Sequence, residues 1–332
     1  MTRRLTAFDL RIVFYYSGRI IWGVGLTMAI PLATALAYGE TATALDFLIG
    51  LSICLIFGVL LSSCLRTERS PNVLQAMTTT AVSWFIACAF CAVPYSLSGH
   101  FASYLDAYFD VMSGLTTTGL VLIQDLDHVS NGLNMWRHLL SYVGGQGIVV
   151  LALAFLIRSS GGAYRIMVGE GKDEAIMPSV RRTSQVIWTV SLATITAGTA
   201  VLALTAWLSG LQWDRSILHG LWMFMSSWST GGFAPATQGI LYYHSLAFEI
   251  GNLVFMLLGS LNFALHYAVW RGDRKELRRN IELVSFSITL TVLTALALGG
   301  AARAGLFDLT GLFRRVVFIV VSAHTTTGQM TI

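Results

Sequence analysis

Eight stretches of this chain contain no Asp, Glu, Lys or Arg, at 20–38, 47–65, 70–105, 138–157, 183–213, 216–248, 250–270 and 283–302. Most exceed the roughly 18 residues that a helix needs to cross a bilayer. Only 11% of the 332 residues are charged and 55% are hydrophobic, whereas about a quarter of an ordinary soluble domain is charged. Too few charges remain to solvate a surface, and lipid tolerates only backbone that satisfies its own hydrogen bonds. The expected class is therefore an all-α integral membrane protein. Arg3 and Arg4 precede an apolar run ending Ala35-Leu36-Ala37, in the manner of a cleaved leader. That run is too long for one and a second follows at once, so a retained helix is expected.

Basic residues sort by side. With the N-terminus taken as cytoplasmic, all but Arg137, Arg215, Arg303, Arg314 and Arg315 of the 21 Lys and Arg fall on the inner side, as the positive-inside bias requires. The connectors 158–182 and 271–280 carry much of that charge and read as anchors at lipid headgroups. Cys54, Cys64, Cys88 and Cys91 all lie in apolar spans, where packing is expected rather than a disulfide framework or metal centre, even for the C-x-x-C at Cys88.

After two leading spans (residues 1–69), a unit repeats. A span is followed by a short amphipathic segment, a Thr/Gly loop, a polar stretch and a returning span. Repeat 1 occupies 70–165, with the segment Tyr104 to Leu115 and the loop Thr116, Thr117, Thr118, Gly119. Repeat 2 occupies 166–275, with Asp214 to Trp228, the loop Ser229, Thr230, Gly231, Gly232, and a span at 246–270. Repeat 3 occupies 276–332, with Phe307 to His324 and the loop Thr325, Thr326, Thr327, Gly328, close to the last residue of the sequence. Repeats in membrane proteins mark transport paths at the interface between units.

The short segments cannot cross the membrane alone, so each is expected to enter and turn back. Non-helical backbone at membrane depth survives where protein buries it or where it lines a wet cavity. Thr places a hydroxyl beside extended backbone and Gly admits dihedrals that a Cβ forbids, so successive carbonyls can face an axis and replace a cation's hydration shell. One Thr-Thr-Thr-Gly means little, but three in the same place of the same unit point to an ion filter with potassium as ligand and no other cofactor. Asp106, Asp110, Asp125 and Asp127 flank the first loop, either as a cation-attracting mouth or as caps and solvated charge.

These residues carry a family resemblance. Asp110-Val-Met-Ser-Gly-Leu-Thr-Thr-Thr-Gly119, Gly144-Gly-Gln-Gly-Ile148, Ser227-Trp-Ser-Thr-Gly-Gly-Phe233, Asn262-Phe-Ala-Leu-His-Tyr267 and Thr325-Thr-Thr-Gly328 resemble the Trk/Ktr/HKT superfamily of potassium transporters, most of all its bacterial Trk-type membrane subunit. The resemblance covers essentially the whole chain. It implies a pseudo-fourfold pore of four span, pore-helix, span repeats after two leading spans, and filter glycines at Gly119, Gly232 (with Gly231 beside it) and Gly328. It also implies potassium uptake across the bacterial inner membrane, a homodimer, and a cytoplasmic nucleotide-binding regulatory subunit. A gating helix and a fourth repeat, expected from the resemblance, are not in this sequence of about two and a half repeats. The chain accordingly reads as a fragment or truncated product completed by a separate polypeptide. The competing reading is a non-conducting remnant or scaffold.

Gly144, Gly145, Gly147 and Gly259 recur at similar distances after their filters, for close helix packing or as a hinge. Asn262 and His266 are expected on one face of a continuous span, hydrogen-bonding to a neighbouring helix. Glu249 either caps its span or attracts cations. Arg314 and Arg315 are expected to reach headgroups or a carboxylate. A membrane-embedded enzyme is disfavoured: there is no H-E-x-x-H, and His128, His138, His219, His244, His266 and His324 lack ligand spacing. No nucleic-acid partner is expected.

Overall fold

The structure is a computed structural model that describes residues 7–69, 71–147, 180–305 and 308–331. Ile148, the end of the span expected at 138–157, and the connector as far as residue 179 lie outside the described residues, as do Arg3 and Arg4. Every regular element that is described is helical. Among the described residues, five helices are long and apolar enough to cross a membrane, and a sixth such stretch is a bent pair.

The chain divides into two compact units, Met1–Leu115 with Val129–Thr189, and Thr116–His128 with Val190–Ile332. In the first unit, α1 (Ala7–Thr27) and α2 (Ala29–Ala37) make one leading span and α3 (Thr41–Cys64) the next. They approach closely through small residues: a Cβ on Gly58 would stand 2.9 Å from the carbonyl oxygen of Gly18. Close backbone approach of this kind substitutes for the hydrophobic drive that lipid removes. α4 (Val73–Cys91) starts at a capping box made by Asn72 and Gln75 and is extended by α5 (Val93–Leu97). The thiols of Cys54, Cys88 and Cys91 are buried in this packing.

α6 (Tyr104–Leu115) is the first short helix, and α7 (Asn131–Gln146) returns from it. The start of α7 is capped twice. Ser130 accepts from the Leu133 N–H, and Glu40 reaches across from the leading spans to accept from the backbone N–H groups of Asn131 (2.7 Å) and Gly132 (2.9 Å). A carboxylate at a helix N-terminus meets the positive end of the macrodipole and satisfies donors that have no intrahelical partner. Glu40 thus works as a structural cap between segments some ninety residues apart in sequence.

In the second unit, the span α8 (Val180–Leu208, from Val190 onward) is followed by the short helix α9 (Trp213–Trp228) and then by α10 (Leu246–Gly259) and α11 (Phe263–Trp270). The short α12 (Glu276–Arg279) leads to the span α13 (Ile281–Arg303) and the third short helix, α14 (Leu309–His324). Asp308 caps α14 by accepting from the Gly311 N–H. α6, α9 and α14 contain 12, 16 and 16 residues, or about 18 to 24 Å of helix, short of the roughly 30 Å hydrocarbon core.

The span expected at 246–270 is not continuous. α10 and α11 meet at 101°, with the break at Ser260-Leu261-Asn262. Asn262 is the N-cap of α11, accepting from the Leu265 N–H at 2.8 Å, so Asn262 and His266 do not share a face of one long helix. Asn262 Nδ2 donates to Glu282 at the start of α13, while His266 Nε2 lies 2.9 Å from the Leu258 carbonyl oxygen, on the last turn before the break. Asn is among the strongest N-cap residues, and inside an apolar run its capping tendency ended one helix and began another.

Candidate functional site

All three Thr/Gly loops belong to the second compact unit, and the first joins it although its short helix α6 belongs to the other. Each loop begins at the last turn of a short helix and follows one backbone pattern. Thr117, Thr230 and Thr326 hold φ of +54°, +52° and +60°, and two residues on Gly119, Gly232 and Gly328 hold +78°, +76° and +81°. The second and third helix ends are closed alike. Thr230 N–H donates to Ser227 O (3.2 Å) and Gly231 N–H to Ser226 O (2.9 Å), and in the third loop Thr326 N–H donates to Ala323 O (3.0 Å) and Thr327 N–H to Ser322 O (2.8 Å).

This double bond pattern ordinarily places glycine at the left-handed position. A β-branched residue there is a genuine outlier that costs about 1–3 kcal/mol, and the chain bears it in all three loops. The side chains also repeat: Thr116 Oγ1 lies 2.8 Å from Thr118 Oγ1, and Thr325 Oγ1 lies 2.8 Å from Thr327 Oγ1. In the second loop Gly231 stands where the others have threonine, and that pairing is lost.

The loops touch in succession. A Cβ on Gly119 would stand 2.5 Å from the carbonyl oxygen of Gly231, and one on Gly232 would stand 2.1 Å from that of Thr327. The fourth residue of one loop therefore abuts the third carbonyl of the next, twice over. A Cβ on Gly328 would meet nothing within 4 Å among the described residues. Head-to-tail repetition of one contact between like units is the relation that builds rings.

The two returning helices pack against the ends of the first two short helices. A Cβ on Gly144 would stand 1.8 Å from the Leu115 carbonyl oxygen, and one on Gly259 would stand 2.1 Å from that of Trp228. Leu115 and Trp228 are the last residues of α6 and α9, so each returning helix packs a glycine on the end of its own short helix. Both returning helices then stop, α7 at Gln146 before Gly147 (φ +96°) and α10 at Gly259 itself. Gly145 adjoins this contact in the last turn of α7.

Asp110 is fully buried on α6, which fits neither a cation-attracting mouth nor the solvated charge weighed against it. Arg137 and His138 on α7 are fully buried in the same unit, and Arg137 donates to Asn134. The exposed acidic residues near the first loop are arranged otherwise. Asp125 lies 2.7 Å from His128 Nδ1, a hydrogen bond that holds its carboxyl below the usual carboxylate range. Asp127 accepts from the Thr237 N–H while Thr237 accepts from the Leu126 N–H, a reciprocal tie between the polar loops of repeats 1 and 2.

Glu249 is buried on α10 and takes a two-pronged hydrogen bond from Arg314 of α14, at 2.6 and 2.7 Å. Of the destinations expected for Arg314, the carboxylate is the one observed. Removing one partner of such a pair strands a buried charge. Arg314→Met is expected to destabilise the protein by roughly 2–3 kcal/mol, toward the lower end of that cost because Arg314 is partly exposed. Adding Glu249→Gln to it should recover part of the loss, as read by thermal unfolding in detergent.

Three short helices ending in glycine loops, the first two backed by returning helices, define a pore-helix membrane protein. The model of a family described as TrkH, cation transport protein, matches residues 44–327, and the chain belongs to that family, one of transporters rather than enzymes. It is 30% identical over 331 residues to an uncharacterized cation transporter of Methanocaldococcus jannaschii, covering 99% of this chain and 65% of that protein. It is 31% identical over 318 residues to the Trk system potassium uptake protein TrkI of Halomonas elongata, covering 93% and 62%. The crystal structure of the potassium transporter TrkH from Vibrio parahaemolyticus superposes with a TM-score of 0.77 over 94% of this chain and 64% of that one, at 23% identity, and so shares its fold. This chain spans less than two thirds of the length of these relatives.

Proposed function

We propose that this protein forms part of a potassium uptake pathway in the cytoplasmic membrane, with the backbone carbonyls of residues 116–119, 229–232 and 325–328 lining its selectivity filter. The observation that carries this reading is the head-to-tail succession of Gly119 on Gly231 and Gly232 on Thr327, among loops of one conformation. Such an arrangement offers carbonyl oxygens in register to a dehydrated cation. The left-handed threonines fit the same purpose, because strain held in three equivalent places needs a function that glycine alone would not meet.

The relatives named as Trk potassium uptake proteins support potassium as the ion, and their designation as parts of Trk systems supports work with other components. In this proposal those components are a second copy of the chain and a cytoplasmic nucleotide-binding subunit, and a fourth repeat completes the ring. The inward bias of basic residues supports a cytoplasmic N-terminus. Vesicles containing this polypeptide together with a supplied fourth repeat should take up rubidium, with potassium competing strongly and sodium weakly. Absence of uptake, or equal competition by sodium, overturns the proposal.

A further inference from the structure

The three loops share a conformation through their fourth residue and diverge at the fifth, which is Leu120, Phe233 and Gln329. Gln329 alone of these carries a side-chain donor. It is 5% exposed, and its Nε2 donates to Ser226 Oγ at 3.2 Å. Ser226 is fully buried near the end of α9, and its carbonyl accepts the N–H of Gly231, whose own carbonyl oxygen abuts Gly119. The amide of the third loop is thus bonded to the residue that sets the second loop's carbonyl against the first. Among the described residues, Gln329 Oε1 is buried without a hydrogen-bond partner. Burying an amide with half its bonding unmet is unfavourable where the other loops place apolar side chains, so its one bond must matter to the arrangement.

We propose that Gln329 is a specificity-determining residue, tying the third filter loop to the second through Ser226 and thereby holding the spacing of carbonyls around the ion. The inference rests on the potassium-filter reading and adds a side chain that composes no part of the carbonyl set. Ion preference in a carbonyl ring depends on how firmly its oxygens keep their distance. Loss of the tie lets the loops part and admits sodium.

The experiment is rubidium uptake with sodium as competitor, in vesicles carrying the chain with the supplied fourth repeat. Gln329→Met, matched in length, should lower the preference for rubidium over sodium by about three- to tenfold, the factor one buried hydrogen bond supplies, while rubidium still enters. Ser226→Ala reaches the same bond from its other end and should give the same change. The double variant should lose no more than either single one, because both remove one interaction. Unchanged preference in both single variants, or losses that multiply in the double, overturns the inference and leaves the transport reading standing. A parent chain that takes up no rubidium overturns both.

Discussion

Gly119→Ser is expected to abolish most of the discrimination between potassium and sodium while leaving the fold in place. The residue holds φ +78° and has the Gly231 carbonyl oxygen where a side chain would go, 2.5 Å from an added Cβ. Two effects act together. A serine at that dihedral is strained by about 1–3 kcal/mol, and the collision can be relieved only by moving backbone, either of its own loop or of the second. Each escape displaces a carbonyl that the proposed filter offers to the ion. Selectivity depends on differences of a few kcal/mol, with 1.4 kcal/mol worth a factor of ten, so a shift that barely alters stability should change ion preference by ten- to a hundredfold on that scale. Competition between sodium and rubidium in vesicle uptake measures it. An unchanged preference would show that Gly119 is not at the conducting surface.

A second large effect belongs to stability. Gly144→Ala places a Cβ 1.8 Å from the Leu115 carbonyl oxygen, and Gly259→Ala places one 2.1 Å from that of Trp228. Neither obstacle is the end of a flexible side chain, so helix must move from helix at the point where the short helix ends. Overpacking of this kind costs about 1–3 kcal/mol when side chains can adjust and more when only backbone can. Both variants should therefore accumulate poorly and unfold at lower temperature in detergent, with Gly144→Ala the worse. Normal yield and an unchanged unfolding temperature for Gly144→Ala would contradict the close approach. The hinge reading for these glycines predicts instead a normal yield with altered opening.

Much of the architecture was legible in the residues. The first short helix runs from Tyr104 to Leu115 as expected, and the second and third begin within two residues of the expected positions. Signals for these elements are local, namely an apolar face of limited length ending at Thr and Gly. The break in the span at 246–270 left a trace too, since Asn262 followed by an apolar run is a capping signal. Hydropathy, which sums over a window, hid it. The strained threonines left none. Gly attracts attention as the residue for positive φ, and nothing in Thr-Thr-Thr-Gly tells which threonine is left-handed.

Membrane insertion, the three repeated loops and the family likeness were determined by the sequence alone, because each depends on the type and spacing of near neighbours along the chain. Only the tertiary structure decided that Asp110 is buried, that Arg314 grips Glu249, that Glu40 caps α7, and that one loop's glycine abuts the next loop's carbonyl. Those facts join residues from 65 to more than a hundred positions apart or turn on which side of a helix meets protein. Such information lies in packing, where an oxygen and a missing Cβ must fill the same few ångströms, and no local pattern of residues records it.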